Sequence, residues 1–244
     1  MTVAVRLRPR SKQVITTRIR LLRRHLAGRV ARDMRRFFAV QSRRVTLRLI
    51  AHHALKVVLN PDELLPPEED QLLSLALRPY LEQGLLSFAD LAAQMVGGAG
   101  VEERGAGLQR LLDQAGDRIV GINDTTRNAV REALSEANAA GYNLYQTANG
   151  VAADGFSGIS SLVEETYANR AEAIARTEMG WASQAASQAQ WREMGVQQQE
   201  IIDGEDWDEP CSERNGTTVS IEEEIELNHP SCTVVSLPVV GEGE

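Results

Sequence analysis

Four side chains near the C-terminal end are of the types that zinc takes as ligands: Asp208, Cys211, His229 and Cys232. Thiolate, imidazole and carboxylate are its ordinary donors, and a small lobe can use the ion in place of a missing hydrophobic core. The spacing is irregular, with 17 residues between Cys211 and His229 and two between His229 and Cys232. Asp206 is an alternative fourth ligand. The same residues admit a plainer arrangement, in which the cysteines are buried thiols or a disulfide and His229 anchors a turn. A structural ion is expected rather than a catalytic one, because no general base of the His-Glu-x-x-His kind stands beside the set.

A second group of residues suits anion binding. Residues 1–56 hold 16 Lys and Arg against one acid, Asp33, a local balance of +15. Residues 57–244 carry −23, and the whole chain −8. Arginine makes bidentate contacts with phosphate and carboxylate. The candidate contacts to nucleic acid or to an acidic protein surface are therefore Arg18, Arg20, Arg24, Arg32, Arg35, Arg36, Arg43 and Arg44. A solvated helix face is the alternative, but so little compensation is unusual on a free surface. No base-reading motif accompanies these arginines, so contact with DNA would be to its backbone and independent of sequence. The opposite end is acidic: residues 200–244 hold 13 acids and one base, Arg214.

Signatures of catalysis are missing. There is no G-x-x-x-x-G-K-[ST] phosphate loop and no G-x-S-x-G nucleophile elbow. Gly97, Gly98 and Gly100 lack the strand–turn–helix context of a dinucleotide site. The expectation is a binding protein and not an enzyme; a metal-dependent hydrolase built on the terminal lobe has no acid–base pair to support it. No apolar run approaches the roughly 18–20 residues that cross a bilayer, and the Arg-rich opening is not a secretory signal. Synthesis in the cytoplasm, without a membrane partner, is expected.

Helices must position these groups. Residues 1–12 read as a basic arm, with Pro9 set against helix. Ile15, Ile19, Leu22, Leu26, Val30, Met34 and Phe37 then recur at three- and four-residue steps, with Arg18, Arg24, Arg32, Arg35 and Arg36 on the other side. A further helix is predicted over 42–59, broken by Asn60-Pro61, and one or two short helices over 69–96. Another covers 102–118; a separate one is capped at Asn123, Asp124 or Thr125 and runs to about Leu144. Residues 158–194 return to helix, first Ile159–Asn169 and then an Ala-rich stretch through Trp191. After Gly195, Ile201-Ile202, Thr217–Ile221 and Thr233–Val240 have the β-branched alternation of strands. The predicted class is mainly α: an elongated helical body with a small C-terminal α+β (β-hairpin) lobe. The regions are a basic arm and helices over 1–60, a helical body over 61–195, and an acidic lobe over 196–244, stabilised by metal or thiols.

Three stretches, taken in order, resemble the phage Mu F-like head morphogenesis family of minor head proteins. The first is Phe37-Phe38 with Gln41 and Val45. The second is Arg170–Glu178 (RAEAIARTE), where the family has an Ile-Ala-Arg-Thr-Glu helix followed by spaced alanines. The third joins Asp203–Cys211, Asn215-Gly216 and His229-Pro-Ser-Cys232. The resemblance covers about residues 30–240. Arg214 stands where many members have the second Cys of Cys-x-x-Cys, and Val234 where many have the last Cys of His-Pro-Asn-Cys-Arg-Cys, so a four-cysteine zinc site is impossible here. The resemblance implies structural roles for Arg176, Glu178, Asn215 and Gly216. It also implies a minor capsid protein of the virion, in the capsid interior or at the portal vertex. Such a protein would bind portal protein, packaged DNA or other head proteins in head assembly and genome packaging or ejection. A DNA-binding or scaffold-like interaction protein outside the virion is the alternative.

Overall fold

The computed structural model describes residues 9–55, 60–98, 106–202, 209–225 and 232–240. The protein is mainly α, with a small antiparallel sheet near its C-terminus. Four long helices dominate: α1 (Pro9–Leu55), α3 (Glu68–Met95), α4 (Ala106–Ala139) and α6 (Ile159–Glu193). The shorter helices are α2 (Pro61–Leu64), α5 (Leu144–Asn149) and α7 (Glu209–Ser212). The strands are β1 (Gln198–Ile202), β2 (Thr218–Ser220) and β3 (Val235–Val239), in the order β2-β1-β3.

The main helices are longer than the sequence suggests. α1 runs unbroken through the last residues of the expected arm and across the expected break between two helices; residues 1–8 and 56–59 lie outside the described residues. Pro9 is its first residue, where a missing N–H costs nothing because that group has no partner in any helix. α3 carries Pro79 inside it and remains one helix. The predicted cap at Asn123 is not a helix start: Asn123 lies within α4, fully buried, and its side chain donates to Asp70 at 2.7 Å. α4 ends at Ala139, before the predicted Leu144; in the turn that follows, Gly141 at φ +71° lets Tyr142 N–H reach back to the Ala137 carbonyl. Gly195, at φ +78°, closes α6 in the same way, with Val196 N–H on the Trp191 carbonyl. The terminal lobe is the expected small α+β unit, with its three strands paired as one antiparallel sheet.

By contacts the chain divides into two compact units. The first comprises Met1–Val30, Pro79–Asp113 and Glu172–Glu244. Ile19 of α1, Leu91 of α3 and Val235 and Leu237 of β3 form one buried cluster here. Ala92, Trp191, Val196 and Ile221 form another. Trp191 is fully buried, so its indole N–H needs a partner; it donates to the Ala92 carbonyl at 3.0 Å. Ala175 and Ala182 of α6 are fully buried, and a side chain at Gly84 of α3 would meet Met179 at 3.3 Å. Small residues therefore set the close approach of α3 and α6. Polar side chains fasten the sheet to the helices. Gln184 Oε1 accepts from the Ser236 N–H and hydroxyl at 3.2 and 3.1 Å. Gln188 Nε2 donates to the Ile221 and Glu223 carbonyls at 2.7 and 2.6 Å.

The second unit comprises Ala31–Arg78 and Gln114–Ala171. Phe38 stacks on Tyr167 with ring centroids 4.2 Å apart, and both are buried. The turn between α2 and α3 leaves the Leu64 and Leu65 carbonyls without helical partners. Arg48 Nη1 donates to the first at 2.9 Å and Arg127 Nε to the second at 2.9 Å. Asn143 caps α5 reciprocally with Gln146.

Candidate functional site

The charged outer face of α1 arises from its periodicity. Within the first unit, Val14, Arg18, Leu21, Arg24 and His25 are exposed, while Ile19, Arg23 and Leu26 face inward. Within the second, Arg32, Arg35, Arg36, Val40, Arg43, Leu47 and Ile50 are exposed, opposite Met34, Phe38, Gln41, Val45 and Leu49. Arg18, Arg32 and Arg43 are solvent-facing cations with no acidic partner among the described residues. Arg36 pairs with Asp33 at 3.2 Å, a contact of low energy because both are exposed. The aliphatics were not foreseen as part of this face. Val14, Leu21, Leu47 and Ile50 are each more than half exposed.

Two of the eight candidate arginines do not belong to the surface. Arg20 is half-buried. Arg44 turns to the completely buried carboxylate of Glu69, donating from Nε at 2.8 Å and Nη2 at 2.6 Å. Arg48 Nη1 reaches the same carboxylate at 2.8 Å and Gln41 Nε2 at 3.1 Å. Burial alone would raise the Glu69 pKa; the hydrogen bonds and charges of Arg44 and Arg48 outweigh it and hold the carboxyl below its ordinary value. Nearby, Arg127 holds Asp70 at 2.7 Å and Asp124 at 2.8 Å. Burial lowers the Arg127 pKa, but these two carboxylates raise it further, above its usual value. With every charge met by an opposite one, this network is suited to fixing the interior of the unit rather than to moving a proton.

At the sheet, Cys211 of α7 and Cys232, just before β3, come together. Both are buried, their sulfurs lie 3.8 Å apart, and no disulfide joins them. Ile201, Ile225 and Val234 complete the surrounding cluster. A tetrahedral zinc site with bonds of about 2.3 Å spaces two sulfurs about 3.8 Å apart, so this pair fits two of its four corners. Asp206, Asp208 and His229 lie outside the described residues. Beside the pair, Arg23 donates to the Val234 carbonyl at 2.8 Å and to Gln184 at 3.4 Å. Burial pushes Arg23 down to about 10, with Cys232 acting in the raising direction and Arg20 in the lowering one.

Of the motif positions, Arg176 is exposed and pairs with Glu172 at 2.6 Å, while Glu178 is buried. They serve different surroundings, as expected for residues two apart on a helix. Asn215 and Gly216 form the turn before β2, where Gly216 N–H donates to the Ile201 carbonyl at 2.8 Å.

The inward cations Arg23, Arg44 and Arg48 were not singled out as interior groups. Register gives two of them away: Arg23 lies four residues after Ile19 and three before Leu26, and Arg48 three after Val45, next to the buried stripe. The partners of these cations, Glu69 and Gln184, have no such signal. In comparisons with known proteins, no protein-family model matches the chain, and searches of curated proteins and of solved structures find no match either.

Proposed function

We propose that this chain is a minor head protein of a bacteriophage, acting in head assembly and in genome packaging or ejection by binding rather than by catalysis. The observation that carries the binding part of this reading is the outer face of α1 within the second unit, where Arg32 and Arg43 stand among exposed aliphatics. Cations of this kind attract phosphate or carboxylate at long range. Exposed Val40, Leu47 and Ile50 favour a protein surface over duplex DNA as the docked partner, because a row of aliphatics gains by being covered and a phosphate backbone cannot cover it. An acidic surface on a portal or other head protein suits both features. The assignment to a phage head rests on the resemblance of Phe37–Val45, Arg170–Glu178 and the Cys211–Cys232 region to the Mu F-like family. In this reading zinc, held by Cys211 and Cys232 with Asp208 and His229, would cross-link the terminal lobe.

Two measurements test the proposal. Mass spectrometry of purified particles should detect the chain, and labelling should locate it inside the shell or at the unique vertex. Its absence from particles would refute the virion assignment. Binding of the full chain to portal protein and to duplex DNA should be followed across a salt series. Replacing Arg32 and Arg43 by Gln should weaken both. Replacing Val40, Leu47 and Ile50 by Ser should weaken portal binding alone. Equal loss of DNA binding in the Ser variant would reverse the preference for protein.

A further inference from the structure

Cys211 and Cys232 reach one another from separate segments, one in α7 and the other ahead of β3. Their sulfurs are 3.8 Å apart inside a cluster of Ile201, Ile225 and Val234. A disulfide needs about 2.05 Å between sulfurs, so closing the pair moves them together by less than 2 Å. We propose that Cys211 and Cys232 form an oxidisable dithiol that, in the metal-free chain, closes into an intrachain disulfide on exposure to a peroxide. The site does not depend on the assignment to a phage head.

The chemistry balances in two steps. One thiol attacks peroxide, the O–O bond breaks, and a sulfenic acid and water result. The second sulfur then attacks the sulfenic sulfur, the S–O bond breaks, and a second water leaves with the thiol proton. Two thiols are oxidised by two electrons and one peroxide is reduced. Burial of both sulfurs slows the first step, since access needs local opening of the lobe. The elements beside the pair are short, a four-residue helix and a three-residue strand, and segments of that kind open at low cost. The second step is fast because the resolving sulfur is already in place. The closed bond would tie α7 to the start of β3 across an enclosed segment that includes β2, adding a covalent link to the hydrogen bonds of the sheet.

The test uses the full chain, first treated with a zinc chelator and checked by native mass. Millimolar hydrogen peroxide should then lower the intact mass by about 2 Da and remove both thiols from alkylation, reversibly with dithiothreitol. The oxidised chain should also melt at a higher temperature than the reduced one. Cys211→Ser and Cys232→Ser should each instead gain about 16 or 32 Da, because the sulfenic acid lacks its partner. If either variant fails to fold, the mass and alkylation readouts on the unaltered chain still decide. Thiols that persist through peroxide treatment would overturn the proposal. So would disulfide-linked dimers in place of the intrachain bond, or a metal that the chelator cannot remove and that blocks oxidation.

Discussion

Glu69 is the carboxylate around which the interior of the second unit is arranged, with two guanidinium groups and an amide converging on it. Replacing it by Ala leaves Arg44 and Arg48 partly buried without a counter-charge, which is expected to cost about 3 kcal/mol in urea unfolding. Its titration has a definite sign. The folded-state pKa lies below the ordinary 4.5, so the stabilisation is complete above that value and is lost as pH falls through the lowered one. The unaltered chain should therefore lose stability steeply below pH 4.5, and Glu69→Gln should flatten that fall. Parallel curves for the two proteins would show that Glu69 does not carry the acid dependence. Arg176 is a contrasting case: its pairing with Glu172 is solvated, and Arg176→Ala should change stability by no more than about 0.5 kcal/mol. A loss several times larger would mean that Arg176 has a role beyond its helix.

Among the elements, α1 shows both what periodicity reveals and what it hides. Of the stripe Ile15, Ile19, Leu22, Leu26, Val30, Met34 and Phe37, the four residues Ile19, Leu26, Val30 and Met34 are buried and the other three partly so, Phe38 being the buried aromatic; the exposed arginines opposite follow directly. The three strands were legible as well, from β-branched alternation after Gly195. Helix junctions were not. Asn123 has the composition of a cap, but its side chain is used by Asp70, a residue 53 positions earlier that local sequence cannot supply. Arg44 looked like surface for the same reason, since its partner Glu69 belongs to α3. The cysteine pair was legible as a pair, whereas the location of Arg23 beside it required the fold. Reversing charge at Arg32 and Arg43, both exposed, should leave thermal stability within about 0.5 kcal/mol while abolishing binding to an acidic partner. A comparable loss of helicity by circular dichroism would show instead that these arginines support the helix itself.

For the whole molecule, charge along the chain matters more than its sum. A net charge of −8 and a pI of about 5.2 would ordinarily forbid binding to a polyanion. With +15 confined to residues 1–56, the intact chain should nevertheless be retained on a heparin column at low ionic strength and elute as salt screens the attraction. Passage in the void volume would mean that the acidic remainder dominates the field. The sheet bears on the same question of attachment. β3 is buried at four of its five positions and contains Pro238, which offers no N–H to a neighbour; the other outer strand, β2, is three residues long. Among the described strands, incoming chains therefore find one edge that is short and one interrupted by proline. For subunits crowded together at high concentration these two edges are poor templates for a fibril, whereas attachment through exposed arginines on a helix is one that a change of salt can reverse.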